Sequence, residues 1–325
     1  MGERGCTTDR VSTASSAASS PAVPIVAVVG ATAAGKTGLS LDLAEALGGE
    51  VVNTDAMQLY RGMDVGTAKQ PVDQRRGIPH HLLDVLEVTE TASVAEFQGW
   101  ARATCAALRD AGRTPVLVGG SALYTRAVLD HFDFPGTDPQ VRARLEEEAS
   151  GLSPAALHAR LAEVDPEAAA RILPDNTRRV VRALEVVELT GRPFSASLPR
   201  QEYVDRRSVQ VGVDIDRPTL DARIEQRVEQ MFAEGLVAEV ERLLEAGLAD
   251  GLTASRAIGY REVAAHLAGD LTQDEARERT VIATRRFARR QDAWFRKDPR
   301  ITWVRHDDPD RLSLALSAVA ATMGS

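Results

Sequence analysis

The stretch PIVAVVGATAAGKT, Pro24 to Thr37, decides how the rest of the chain is read. Its first half is an unbroken apolar run rich in valine, the composition of a strand buried on both faces. Its second half is Gly30, Ala31, Thr32, Ala33, Ala34, Gly35, Lys36 and Thr37, which fits G-x-x-x-x-G-K-[ST]. Glycines in such a loop let backbone N–H groups turn inward around an anion. The helix expected over Lys36 to Leu47 presents its positive N-terminal end to the same point. Lys36 is suited to hold the outer phosphates, and the Thr37 hydroxyl to ligate Mg²⁺.

Working outward, strand-like and helix-like runs alternate. EVVNTD and HLLDVLEV read as the second and third strands, Ser93 caps a long amphipathic helix, and TPVLVGG is a fully apolar strand. The alternation predicts an α/β fold, a P-loop NTPase-like parallel sheet flanked by helices. Ligands in such sheets bind at the carboxyl ends of the strands. The loop, Asp55 and the turn Gly119-Gly120-Ser121 all fall there. Near residue 133 the alternation stops at DFPGTDP, and the chain to about 207 reads as helix only. VQVGVDID then resumes the sheet, long charged helices follow, and ITWVRH is a last strand. The expected organisation is one core from 23–136 and 208–325, an all-helical insertion at 137–207, and a disordered leader at 1–22 rich in Ser, Ala and Thr.

Of the 325 residues, 44% are hydrophobic and 26% charged, the balance of a soluble globular protein. Cys6 and Cys105 are far apart and lack metal-ligand spacing, which points to a reducing cytoplasm rather than a disulfide framework. No apolar run is long enough to cross a bilayer, so no membrane partner is expected. The net charge of −8 argues against a surface coated in nucleic acid but leaves room for a local basic groove. Arg178, Arg179 and Arg182 share one face of DNTRRVVRALEVVELTG, whose Val180, Leu184 and Val187 recur at core spacing. Arg285, Arg286, Arg289 and Arg290 form a second stripe. Either stripe alone reads as a solvated face; together they suggest a confined phosphate-binding surface. His80-His81 lacks metal partners at ligand spacing. Phe97, Trp100, Leu108 and Trp294 read as packed helix residues.

A phosphoryl-transfer enzyme would need a second carboxylate at the end of a later apolar strand. TPVLVGGS ends instead in Gly-Gly-Ser. Asp55 could hold a metal, take a proton from a nucleophile, or merely cap a turn. From these residues alone a small-molecule kinase and a nucleotide-binding switch both remain open.

Six blocks, in order, narrow the choice: GATAAGKT, TDAMQLYRGMDVGTAK, PHHLLDV, PVLVGGSALY, ASRAIGYRE and TRRFARRQDAWFRKDPRITW. Together they closely resemble the bacterial tRNA dimethylallyltransferases, also called tRNA isopentenyltransferases, over nearly all of residues 24–306. The resemblance implies transfer of a dimethylallyl group from dimethylallyl diphosphate to the N6 amine of the adenosine 3′ to the anticodon. The loop would then hold a prenyl diphosphate, with Mg²⁺ at Thr37. Lys36 and Arg256 would neutralise the leaving group, Asp55 would be the general base, and Ser121 would lie near the reacting centre. Asp55, Ala56, Met57, Gln58, Ser121 and Arg142 match tRNA contacts, and Arg178, Arg179, Arg182, Arg289 and Arg290 complete the expected tRNA surface around the anticodon stem-loop. The three insertion arginines are expected away from the reacting centre, and the enzyme is expected to be a cytoplasmic monomer. Two positions depart from the family: Ala56 stands where many relatives have Ser, and Ser121 where they commonly have Thr.

Overall fold

The computed structural model describes residues 23–132, 134–197 and 201–324. The expected leader lies outside them. Six strands form the sheet: β1 (Ile25–Val29), β2 (Glu50–Asn53), β3 (His80–His81), β4 (Pro115–Val118), β5 (Ser208–Asp214) and β6 (Ile301–Arg305). All neighbours pair in parallel, in the order β3-β2-β4-β1-β5-β6. The central β1 is buried throughout, which is why its sequence is apolar without alternation.

The core helices before the insertion are α1 (Lys36–Ala46), α2 (Val94–Asp110) and α3 (Ala122–Leu129). The insertion holds α4 (Pro139–Ser150), α5 (Pro154–Val164), α6 (Pro166–Arg171) and α7 (Thr177–Thr190). The core resumes with α8 (Arg217–Ala233), α9 (Leu236–Glu245), α10 (Tyr260–Leu267), α11 (Gln273–Phe295) and α12 (Arg311–Met323). Side chains of β1 go alternately to two faces, the period of two that a strand imposes. Val26 and Val28 pack with Leu39 and Leu43 of α1 and Ala315 and Val319 of α12. Ile25, Ala27 and Val29 belong to the other core, with Phe97 of α2, Val240 of α9 and Tyr260 of α10. Phe97 and Leu108 are buried and Trp100 packs against the same core, as their spacing predicts. Among the described residues no helix is long and apolar enough to cross a membrane.

The expected third strand is mostly absent. Only His80 and His81 pair with β2. Leu82 and Asp84 turn the chain at positive φ, 60° and 56°, and Leu86 returns as an isolated bridge to Tyr60. Leu86 and Val88 are buried all the same. The apolar run reports burial, which a loop folded onto the core satisfies as well as a strand does.

In the insertion, α4, α5 and α6 each begin with proline, after Asp138, Ser153 and Asp165, whose side chains accept hydrogen bonds from the first-turn amides. These are strong helix starts. Asn176 caps α7, and Gly191 ends it at φ 63°. Leu145, Leu157, Leu161, Val180 and Leu184 form a separate small core. The fully buried Glu185 ties the unit together, accepting from Thr137 at 2.6 Å, Arg142 Nε at 2.9 Å and Arg182 at 2.8 Å. Burial alone would raise its carboxyl, but these hydrogen bonds outweigh that and hold it below the ordinary value. The helical unit ends earlier than expected. Tyr203 bridges Asp130 and Gln201 donates to the Lys297 carbonyl, so residues 201–207 already pack on the core.

Candidate active site

The loop after β1 is shaped by residues that accept unusual backbone angles. Gly30, Ala33 and Gly35 have φ of 135°, 62° and 102°, the left-handed angles by which a tight anion-binding loop turns. Lys36 folds back and donates to the Ala31 carbonyl at 2.7 Å. A polar cavity of about 90 Å³ opens beside it, lined by Thr32, Lys36, Thr37, Asp55, Gln58 and Arg227. The side chain of His80, which also meets the Ile78 carbonyl, reaches this cavity, while His81 pairs with Glu50.

A larger chamber of about 540 Å³ adjoins it. Thr32, Asp55, Thr67, Ala68 and Arg227 line both, so they mark the junction. The far walls are mainly apolar, with Met57, Val228, Met231, Ile258 and Phe287. Asp55 follows β2 and caps a short 3-10 turn, Ala56–Leu59, by accepting from the Met57 amide at 3.0 Å. It is therefore both a turn cap and a junction residue. Ala56 and Met57 line the large chamber, whereas Gln58 turns to the polar cavity and donates to the Thr67 carbonyl at 3.0 Å. Ser121, at the start of α3, faces the large chamber; its Oγ is 3.5 Å from the Ala56 amide, a long contact.

The charges at the junction do not balance. Burial lowers the Lys36 ammonium to about 8; Asp55 opposes this and Arg227 adds to it. Burial also raises Asp55, partly offset by the Met57 amide and by Lys36. Arg227 is pushed below the ordinary guanidinium value by burial and by Arg223. Its guanidinium lies 3.5 Å from Thr32 Oγ1, and no carboxylate pairs with it among the described residues. Two desolvated cations thus face one carboxylate, the pattern of a site waiting for an anion. Among the described residues no group of three or more His, Cys, Asp or Glu side chains gathers as a metal site.

Sequence reasoning missed Arg227, and also Arg223 and Gln291. Arg227 and Arg223 lie one turn apart on α8, flanking the buried Ile224 and Val228. A cation on the apolar face of a helix was the available signal. The expected Arg256 lines the large chamber, is exposed, and makes no side-chain hydrogen bond or ion pair among the described residues. The cation against the loop is Arg227.

The insertion arginines divide. Arg142 and Arg182 spend their guanidinium groups on Glu185, and Arg182 also donates to the Pro135 and Gly136 carbonyls. Arg178 lines the large chamber together with Arg290 and Arg256, so it is not remote from the reacting centre as expected. Arg179 is exposed beside it. On α11, Arg285 pairs with Glu225 at 2.6 Å, while Arg286 and Arg289 are exposed. Trp294, expected to be packed, is 42% exposed, with Arg126 of α3 over its ring at 5.5 Å.

Comparison with known proteins assigns the chain to a family. A family model described as IPP transferase matches residues 58–298. A tRNA dimethylallyltransferase of a Nocardioides species is 73% identical over 294 residues, 90% of this chain and 95% of that protein. One from Streptomyces coelicolor is 59% identical, covering 90% and 93%. The crystal structure of the full-length tRNA isopentenylpyrophosphate transferase of Bacillus halodurans superposes with a TM-score of 0.69 at 39% identity, over 93% of this chain and 97% of that one. A eukaryotic dimethylallyltransferase shares the fold, with a TM-score of 0.76 at 24% identity over 92% and 77% of the two chains. The chain, matched by that family model over most of its length and by relatives over nine-tenths of it, belongs to the IPP transferase family, the family of the tRNA dimethylallyltransferases.

Proposed function

We propose that this chain moves a dimethylallyl group from dimethylallyl diphosphate to the N6 amine of the adenosine 3′ to the anticodon of tRNA, releasing diphosphate. The observation that carries the reading is the excess of positive charge, Lys36 and Arg227 against the single carboxylate of Asp55, in a polar cavity that adjoins an apolar chamber. A substrate with an anionic head and a short hydrocarbon tail suits that junction: the polar cavity takes the head, and Met57, Val228, Met231 and Phe287 receive the tail.

In the transfer, the N6 lone pair attacks the first carbon of the prenyl group. The carbon–oxygen bond breaks with its electrons left on the diphosphate, and the N6 proton passes to Asp55. Lys36, released from the Ala31 carbonyl, and Arg227 would supply positive charge to the diphosphate as the bond breaks. Burial makes Asp55 a stronger proton acceptor than an ordinary carboxylate, while nearby Lys36 favours its ionised form. The Ser121 hydroxyl, beside Ala56, is disposed to contact the adenine edge. The exposed Thr37 hydroxyl in the polar cavity fits Mg²⁺, which binds through few protein oxygens and the substrate's phosphates, and this leaves Asp55 free as the base. When bound, that ion supplies further positive charge to the diphosphate.

The anticodon arm would lie between insertion and core, where Arg178, Arg256 and Arg290 rim the chamber and Arg179, Arg286 and Arg289 extend outward. Arg142 and Arg182 contribute by holding the insertion in shape. The proposal takes the enzyme to act as a monomer in the cytoplasm, where its tRNA substrate lies. The test is mass analysis of nucleosides from tRNA incubated with the protein, dimethylallyl diphosphate and Mg²⁺. N6-dimethylallyladenosine beside the anticodon is expected, without ATP consumption. Unmodified tRNA, or ATP-dependent phosphorylation of a small acceptor, would overturn the proposal.

A further inference from the structure

Gln291, on α11, is 5% exposed and reaches into the carboxyl end of the sheet. Its Oε1 accepts from the Thr32 amide at 2.8 Å, and its Nε2 donates to the Gly120 carbonyl at 2.8 Å. Thr32 belongs to the phosphate loop after β1; Gly120 immediately precedes Ser121 in the turn after β4. β1 and β4 are neighbouring strands, so one amide spans the gap between the two turns that face the chamber. The approach is close enough to dictate the neighbour: a Cβ at Gly120 would come within 2.2 Å of Nε2.

We propose that Gln291 is a positioning residue for prenyl transfer, setting the separation between the phosphate cradle and the Ser121–Asp55 side of the chamber. The residue type is specified by its partners. It must accept from an N–H and donate to a C=O at once, which an amide does. An ionised glutamate accepts from Thr32 but presents lone pairs to the Gly120 carbonyl. Methionine leaves the half-buried Thr32 amide and the buried Gly120 carbonyl without these partners, and the site loses its tie. The donor's leaving group is bound on one side of this tie and the acceptor's proton is removed on the other. An error in the separation therefore acts on alignment, and a misplacement of about 1 Å lowers rates by roughly 10²-fold. The same helix carries Arg290 on the chamber and Arg289 outside it, so RNA bound to α11 is linked through Gln291 to the loop that holds the donor.

This inference rests on the reading that the loop binds the diphosphate and Asp55 takes the proton. The experiment compares Gln291→Met and Gln291→Glu with the unaltered full chain in single-turnover prenyl transfer between pH 5.5 and 8.5, a range of about three units around neutrality, with thermal melting recorded for each. Gln291→Met is expected to lose about 10²-fold in rate, with KM for both substrates within about threefold, and its ratio to wild type flat across pH. Gln291→Glu, nearly isosteric, is expected to lose as much at high pH and to recover as pH falls, because the protonated carboxyl again donates to Gly120. A simple packing role would not produce that recovery. Full activity in both variants, a flat ratio for Gln291→Glu, or a loss confined to KM for tRNA would overturn the inference. Wild-type activity in Lys36→Ala and Asp55→Asn would instead remove the underlying site reading.

Discussion

Replacing Arg227 by methionine removes one charge from the junction while keeping much of the side chain's bulk. Arg227 reaches Thr32 of the loop at 3.5 Å, so a diphosphate in the cradle lies about 4–6 Å from its guanidinium. At an effective dielectric of about 20, unit charges at that separation interact by roughly 3–4 kcal/mol. Removing this attraction from the transition state predicts a fall in kcat/KM of about 10²–10³-fold. A second readout comes from Lys36, whose ammonium is lowered to about 8, first by burial and in part by Arg227. In the wild type, binding of inorganic diphosphate should weaken as pH rises through about 8, because Lys36 then loses its proton. Without Arg227 the Lys36 ammonium is easier to keep, so in Arg227→Met the midpoint of that decline moves to higher pH, although affinity is lower throughout. Isothermal titration with diphosphate from pH 6.5 to 9.5, an interval of about three units bracketing that value, reads both effects. A kcat/KM within threefold of wild type (roughly 0.6 kcal/mol), or a midpoint that stays put or moves down, refutes the assigned role of Arg227.

Asp55→Asn cannot accept the N6 proton, and should lower the single-turnover rate by about 10²–10⁴-fold while tRNA affinity changes little; a collapse of affinity with the rate spared would make Asp55 a binding residue only. Glu185→Ala leaves Arg142 and Arg182 facing a buried gap and should destabilise the insertion by about 3–5 kcal/mol, seen as a lower melting temperature with diphosphate binding retained. The Glu185 carboxyl is held below its ordinary value, so its contribution is complete above the unfolded pKa and is lost as pH falls through the folded one. The melting difference between Glu185→Ala and wild type should accordingly shrink under acid, at pH below the usual carboxylate range. Arg178→Ala with Arg179→Ala should weaken tRNA binding and flatten its salt dependence by roughly 0.7–0.9 log units for each RNA phosphate that is no longer neutralised. Arg182→Ala should chiefly cost stability, and an unchanged melting temperature there would remove the structural role given to Arg182.

The features legible in the sequence were those made by near neighbours in the chain. The loop Gly30–Thr37 is contiguous, so its turn-forming residues and the helix behind it can be recognised together. The Ser93 and Asn176 caps act on amides three residues away, and the apolar runs of β1 and β4 announce strands buried on both faces. The helical insertion was visible because its helices carry no competing strand pattern. The run at 81–88 misled because apolar composition records burial rather than backbone direction, and two left-handed residues break the strand.

Sequence alone therefore determined the fold class and the family, and it named the loop and Asp55 as candidates, since each rests on local backbone chemistry or a collinear set of motifs. Tertiary structure decided what the charges do. Arg227 reaches Thr32 across 195 residues, and Gln291 reaches it across 259. Arg142 and Arg182 look like RNA ligands until Glu185 is seen to hold both. Trp294 has the spacing of a core residue, yet no element covers it fully. A cation's function is set by which carboxylate, amide or cavity lies within a few ångströms. For a long, flexible side chain that neighbour is chosen by the folded chain rather than by adjacent residues.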